Sequence, residues 1–145
     1  MKSLVIYDSN FGNTKIIADA VAKTIQGESI SVKEITIESL KGIGLLIVGS
    51  PINAWRPTAR IKEFLNSIGS GKLSDIKAAA FDTRVKIFIS GNAAKKISKA
   101  LIDKGATIIA EPRGFYVKDN EGPLLDGEIA NAEKWANDIF QKTQK

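Results

Sequence analysis

Seven residues near the amino terminus, Asp8-Ser9-Asn10-Phe11-Gly12-Asn13-Thr14, follow the aliphatic run Ser3 to Tyr7 and precede a stretch of helical period. The glycine permits a tight backbone path, and a helix beginning at Asn13 or Thr14 directs unpaired amide groups back into the loop. With the hydroxyls of Ser9 and Thr14 and the side-chain amides of Asn10 and Asn13, the loop becomes a set of neutral donors at the positive end of a helix dipole. Such a set suits a phosphate. No lysine or arginine lies between Val5 and Thr14, so hydrogen bonds rather than a salt bridge hold the charge in this reading. A helix cap with a polar turn is the plainer alternative, but a cap uses one such side chain and here there are four. A GxxxxGK[ST] loop would need its lysine and a GxGxxG turn two more glycines, so neither pattern applies.

The rest of the composition narrows the chemistry. The chain of 145 residues contains no cysteine and no histidine, which removes thiolates, disulfides, iron-sulfur ligation, the usual zinc sites and every nucleophile that relies on imidazole. Redox work would therefore fall to a bound organic cofactor. Hydrophobic residues at 43% and charged residues at 26% describe a folded globular chain, read as one domain spanning 1–145. The apolar run Leu4 to Tyr7 is short for a signal peptide, and no segment approaches the roughly 20 apolar residues of a membrane span, so the expected location is cytoplasmic. The net charge of +5 is concentrated between Arg84 and Lys104, where Arg84, Lys86, Lys95, Lys96, Lys99 and Lys104 face Asp103 alone. That segment is either a solvated helix face or a docking surface for an acidic partner protein; nucleic acid is disfavoured because aromatic interleaving is missing.

The elements that must position the loop alternate. Short apolar runs at 3–7, 30–35, 44–49, 77–83 and 106–111 predict five strands, the second with the alternation of an edge strand. Helical stripes lie between or after them: Ile17, Ala20, Val21 and Thr24; Ile61, Phe64, Leu65 and Ile68; Ala94, Ile97, Leu101 and Ile102; and Ile129, Ala132, Ala136, Ile139 and Phe140. Strands alternating with helices predict an α/β doubly wound parallel sheet with helices on both faces. A ligand would sit outside the carboxyl ends of the strands, which directs attention to 8–14, 50–60, 82–92 and 113–123.

The hexapeptide "SNFGNT", Ser9 to Thr14, resembles the phosphate loop of flavodoxins and short-chain flavodoxin-like FMN-binding proteins, whose pattern is Ser/Thr-x-Thr/Tyr-Gly-Asn-Thr; Phe11 replaces the usual hydroxylated residue. The stretches 45–65 and 121–136 are similar to the third strand with its loop and to the approach to the last helix of that family. The resemblance implies a five-stranded sheet in the order 2-1-3-4-5 and FMN as the cofactor, with its phosphate on Ser9, Asn10, Phe11, Gly12, Asn13 and Thr14. It places the isoalloxazine ring between Ser50, Pro51, Ile52, Asn53, Ala54 and Trp55 on one side and the backbone of Asp82, Thr83 and Arg84 on the other. Trp55 either stacks on the ring or packs against its own loop or a partner. Asp82 either faces the ring's pyrimidine edge or caps the next turn. Phe115 and Tyr116 read as core or loop packing. The function implied is an electron carrier that shuttles low-potential electrons between redox partner proteins, with no catalytic residue and no metal ligand to nominate. The alternatives are an FMN-dependent oxidoreductase acting on a quinone or porphyrin, and a flavin-free interaction domain of the same architecture.

Overall fold

Aliphatic stretches covered on both faces make the central strands. In the computed structural model, which describes residues 1–53, 56–86, 92–119 and 121–144, these are β1 (Lys2–Tyr7), β3 (Ile43–Pro51) and β4 (Lys77–Val85). β2 (Glu28–Ser31) flanks β1 and β5 (Thr107–Ile108) flanks β4, giving the parallel order β2-β1-β3-β4-β5. The doubly wound α/β expectation and its strand order hold.

Because successive strand side chains point to opposite faces, each central strand feeds two cores. Leu4, Ile6, Leu46, Val48, Ala78 and Ala80 pack under α2 (Ala59–Ser67) and α3 (Ala93–Asp103). Val5, Leu45, Ile47, Ala79 and Phe81 pack under α1 (Asn13–Thr24) and α4 (Glu128–Thr143). In the second core Phe81, Phe115 and Trp135 close a triangle of edge-to-face contacts with ring centroids 5.9 to 6.1 Å apart, a geometry worth about 1 kcal/mol per pair beyond area burial.

The fifth strand departs from the prediction over 106–111. Only Thr107–Ile108 pairs with Lys77 and Ala78; the edge of β4 from Phe81 to Val85 is taken by β6 (Arg113–Val117), also parallel. Between the two pieces the chain carries two residues more than the facing strand, and Pro112 has no N–H to donate there. The second strand is also displaced, from 30–35 to Glu28–Ser31. β1 ends at Tyr7, whose carbonyl accepts from Val32, so the alternating residues beyond have no partner and turn instead. Two helix stripes each lose one residue: Ile102 is 54% and Ile129 46% exposed, while Ala94, Ile97 and Leu101 on α3 and Ala132, Ala136 and Ile139 on α4 are buried as expected. Ala93, Ala94, Ile97 and Leu101 make the buried face of α3, while Glu128, Ala132, Trp135 and Ile139 make that of α4. Glu128 is accommodated because its carboxylate accepts from the Tyr116 amide at 2.7 Å and the Asn131 side-chain amide at 2.6 Å. Among the described residues no helix is long and apolar enough to cross a membrane.

Candidate functional site

β1 and β3 are neighbours, yet the helices that follow them lie on opposite faces of the sheet, so a crevice opens between their carboxyl ends. The Ser9–Thr14 loop occupies it. Gly12 sits at φ 94° immediately before α1, in the left-handed region that favours glycine. Its amide donates to Ser9 Oγ at 2.9 Å, and its carbonyl accepts from Ile16 to start the helix. Among the described residues the amides of Asn10, Phe11, Asn13, Thr14 and Lys15 have no protein acceptor. Unpaired amides on both sides of a left-handed glycine at a helix N-terminus form the donor set a phosphate requires, so the residues present fit the phosphate end of FMN.

The polar side chains of the loop are differently employed. Ser9 Oγ accepts from Gly12, and Asn10 Oδ1 accepts from Arg60 Nη2 at 3.3 Å. Asn13 is buried against Gly122, where a Cβ would stand 2.5 Å from its Oδ1. The Thr14 and Thr83 hydroxyls share a hydrogen bond of 2.8 Å, which ties the first turn of α1 to the end of β4. The free donors are therefore mainly backbone, with the side chains holding the loop in shape. The Phe11 ring is 57% exposed at the lip.

Charge enters from a distant part of the chain. Asp8, fully buried at the end of β1, accepts from the Ser9 amide at 3.0 Å, from Thr58 Oγ1 at 2.6 Å, and from Arg60 Nε at 3.1 and 3.0 Å. Thr58 caps α2 by accepting from the Ile61 amide, which aims the next turn, and Arg60 with it, at the loop. The salt-bridge-free loop expected from Val5 to Thr14 thus has a guanidinium beside it after all. Thr58 and Arg60 were not among the expected site residues. The signal was Asp8 itself, since a carboxylate ending a buried strand needs a counter-charge.

The other expected residues gather at the same edge. Ser50 and Pro51 stand in register with Asp82 and Thr83. Ser50, fully buried, accepts from the Thr58 amide and donates to the Pro51 carbonyl, a structural role for its side chain. Ile52 donates to the Thr83 carbonyl, and exposed Asn53 exchanges backbone hydrogen bonds with Arg56. Ala54 and Trp55, the stacking candidate included, lie outside the described residues. Asp82 takes the capping role: its buried carboxylate accepts from the Ala94 amide at the start of α3 and from Arg84 Nε and Nη2 at 2.7 and 2.6 Å. Hydrogen bonding to Asp82 raises the Arg84 pKa above its ordinary value despite burial, which lowers it. Both side chains are committed to each other and to α3, leaving only backbone toward the crevice. Phe115 is fully buried in the core, as its packing reading required.

Comparison with known proteins agrees with this geometry. The family model described as "Flavodoxin domain" matches residues 4–112. No curated protein sequence matches the chain significantly. Among solved structures, a flavodoxin from the domain Archaea is 23% identical over 100% of both chains with a TM-score of 0.80. Oxidised flavodoxin 1 from Bacillus cereus is 20% identical over 98% of each chain with a TM-score of 0.81. Rubredoxin oxygen:oxidoreductase from Desulfovibrio gigas is 20% identical over 99% of this chain and 36% of that one, with a TM-score of 0.82. At these identities the structures show the fold, and the family model, matching well over half of the chain, shows the family. This chain belongs to the flavodoxin domain family.

Proposed function

We propose that the protein binds FMN noncovalently at the carboxyl ends of β1, β3 and β4 and carries electrons between other redox proteins. The observation that carries this reading is the group of unpaired amides at Asn10, Phe11, Asn13, Thr14 and Lys15 around the left-handed Gly12. These donors bind a phosphate without a lysine, through oriented N–H groups at the start of α1. Arg60 offsets the negative charge of Asp8, so the incoming dianion does not meet an uncompensated carboxylate. The Thr14–Thr83 hydroxyl pair fixes the loop against β4, whose backbone at Asp82 to Arg84, with the Ser50–Trp55 segment, is assigned to the ring. When bound, the flavin supplies the electron-storing chemistry.

The buried acids at this edge serve the scaffold. Asp8 and Asp82 are the buried aspartates at these strand ends, and each is engaged by an arginine and by helix-start groups. Titration of the apoprotein with FMN is expected to quench flavin fluorescence at a ratio of one to one, with Kd below about 1 μM. Absence of quenching overturns the reading, and steady oxidation of NADPH by a quinone with the purified protein alone replaces the carrier with the oxidoreductase.

A further inference from the structure

A second concavity lies between α2 and α3 and extends to the connection between β3 and α2. It has a volume of about 320 Å³ and is lined by Arg56, Pro57, Lys62, Leu65, Asn66, Lys96, Ile97 and Ala100. Its floor is apolar, with Leu65 and Ile97 both buried. Three cations stand around that floor, and among the described residues no carboxylate lines it. Arg56, Lys62 and Lys96 are exposed, and among the described residues none of them has a carboxylate within salt-bridge distance. Lys95 and Lys99 on the outer side of α3 extend the same sign of charge.

We propose that this groove is the docking site for an acidic protein partner, which seats an apolar side chain on Leu65 and Ile97 and sets carboxylates against Arg56, Lys62 and Lys96. The assignment of that partner as a redox protein rests on the function proposed above. Charge complementarity selects the sign of the partner, and the apolar floor selects its kind. A polynucleotide backbone has nothing to place on Leu65 and Ile97, and among the described residues no aromatic ring lines the groove to stack a base. Position gives the functional sense. Arg56 and Pro57 directly follow in sequence the Ser50–Trp55 segment assigned to the flavin ring, so a partner held here is placed beside the end of that segment. Cations at the rim of an apolar patch steer encounter and fix register, while the apolar contact slows dissociation.

The test uses a synthetic helical peptide of 16 residues with leucine on one face flanked by glutamates, titrated into isotope-labelled protein with and without FMN. Amide shifts are expected at Leu65, Asn66, Lys96 and Ala100. Binding is expected to weaken about tenfold in the Lys62→Glu/Lys96→Glu variant, and to remain unchanged in a Lys23→Glu/Lys134→Glu variant, whose lysines stand exposed on α1 and α4. Shifts elsewhere, or equal binding by the two variants, overturn the proposal. So does equal binding of poly-L-glutamate, of a peptide with serine for leucine, or of single-stranded DNA. FMN binding without peptide binding removes the groove alone; peptide binding without FMN binding removes the carrier function and leaves the groove.

Discussion

At the scale of single residues, the pair Asp8 and Arg60 makes the corner proposed to hold a phosphate electrically tolerable. A buried carboxylate one residue from an anion site would repel the ligand, and its own desolvation would cost several kcal/mol without hydrogen bonds from Ser9, Thr58 and Arg60. Arg60→Gln leaves that carboxylate with neutral partners. The expected outcome is a loss of about 1–3 kcal/mol in urea unfolding together with an FMN affinity reduced about three- to tenfold, and Arg60→Lys should recover part of both because it keeps the charge but cannot bond Asp8 through Nε and Asn10 through Nη2 together. If unfolding midpoint and affinity are both unmoved in Arg60→Gln, the ion pair has no role in holding the corner.

At the scale of elements, the close fit of β3 against β4 is set by Gly49. A Cβ at that position would lie 2.1 Å from Phe81 Cζ, in the ring triangle with Phe115 and Trp135 that joins β4, β6 and α4. Those rings have no room to withdraw, so Gly49→Ala is expected to lower stability by about 1–3 kcal/mol through overpacking. Gly44→Ala on the same strand is the control. The three atoms nearest its Cβ all belong to the Met1 side chain, and Met1 is largely exposed and free to move, so the change should stay within about 0.5 kcal/mol. Urea midpoints of the two variants check the contrast. The same elements explain two displaced predictions: an apolar run becomes strand only where a neighbour offers backbone partners, and after Val32 donates to Tyr7 and Ile109 to Ala78 neither 33–35 nor 110–112 makes a further sheet pairing among the described residues.

At the scale of the whole molecule, the basic segment from Arg84 to Lys104 does not act as one patch. Arg84 is matched by Asp82, Lys86 lies 5.5 Å from the centre of the Tyr116 ring, and Lys96 faces the α2–α3 groove. The field at the strand ends is therefore weaker than two arginines near the crevice would suggest, since the charge of Arg84 arrives with its opposite. Replacing the pair together, Asp82→Asn with Arg84→Gln, should leave the reduction potential of the FMN-loaded protein nearly unchanged. Arg56→Gln removes an unmatched charge and should move that potential in the negative direction, less so at high salt. Redox titration of both variants separates the two arginines. Equal shifts would mean that pairing with Asp82 leaves the field of Arg84 intact at the ring.

Local chemistry was legible along the chain. A glycine in a polar loop after an aliphatic strand permits a tight path into a helix start, and Gly12 takes that path at φ 94° immediately before α1. Alternation of short aliphatic runs with helical stripes dictates a parallel sheet wound on both faces, because crossovers between parallel strands are right-handed, and the order β2-β1-β3-β4-β5 follows the family resemblance. Tertiary structure alone decided which groups satisfy which. Arg60 reaches Asp8 across 52 positions of sequence and Thr83 reaches Thr14 across 69. Nothing local distinguishes Arg60 from the other basic residues or Thr83 from the other threonines. Buried polar groups are paired by whichever partner packing brings within reach, and that choice depends on the registers of β1, β3 and β4 and on the helix starts they feed, which only the folded chain contains.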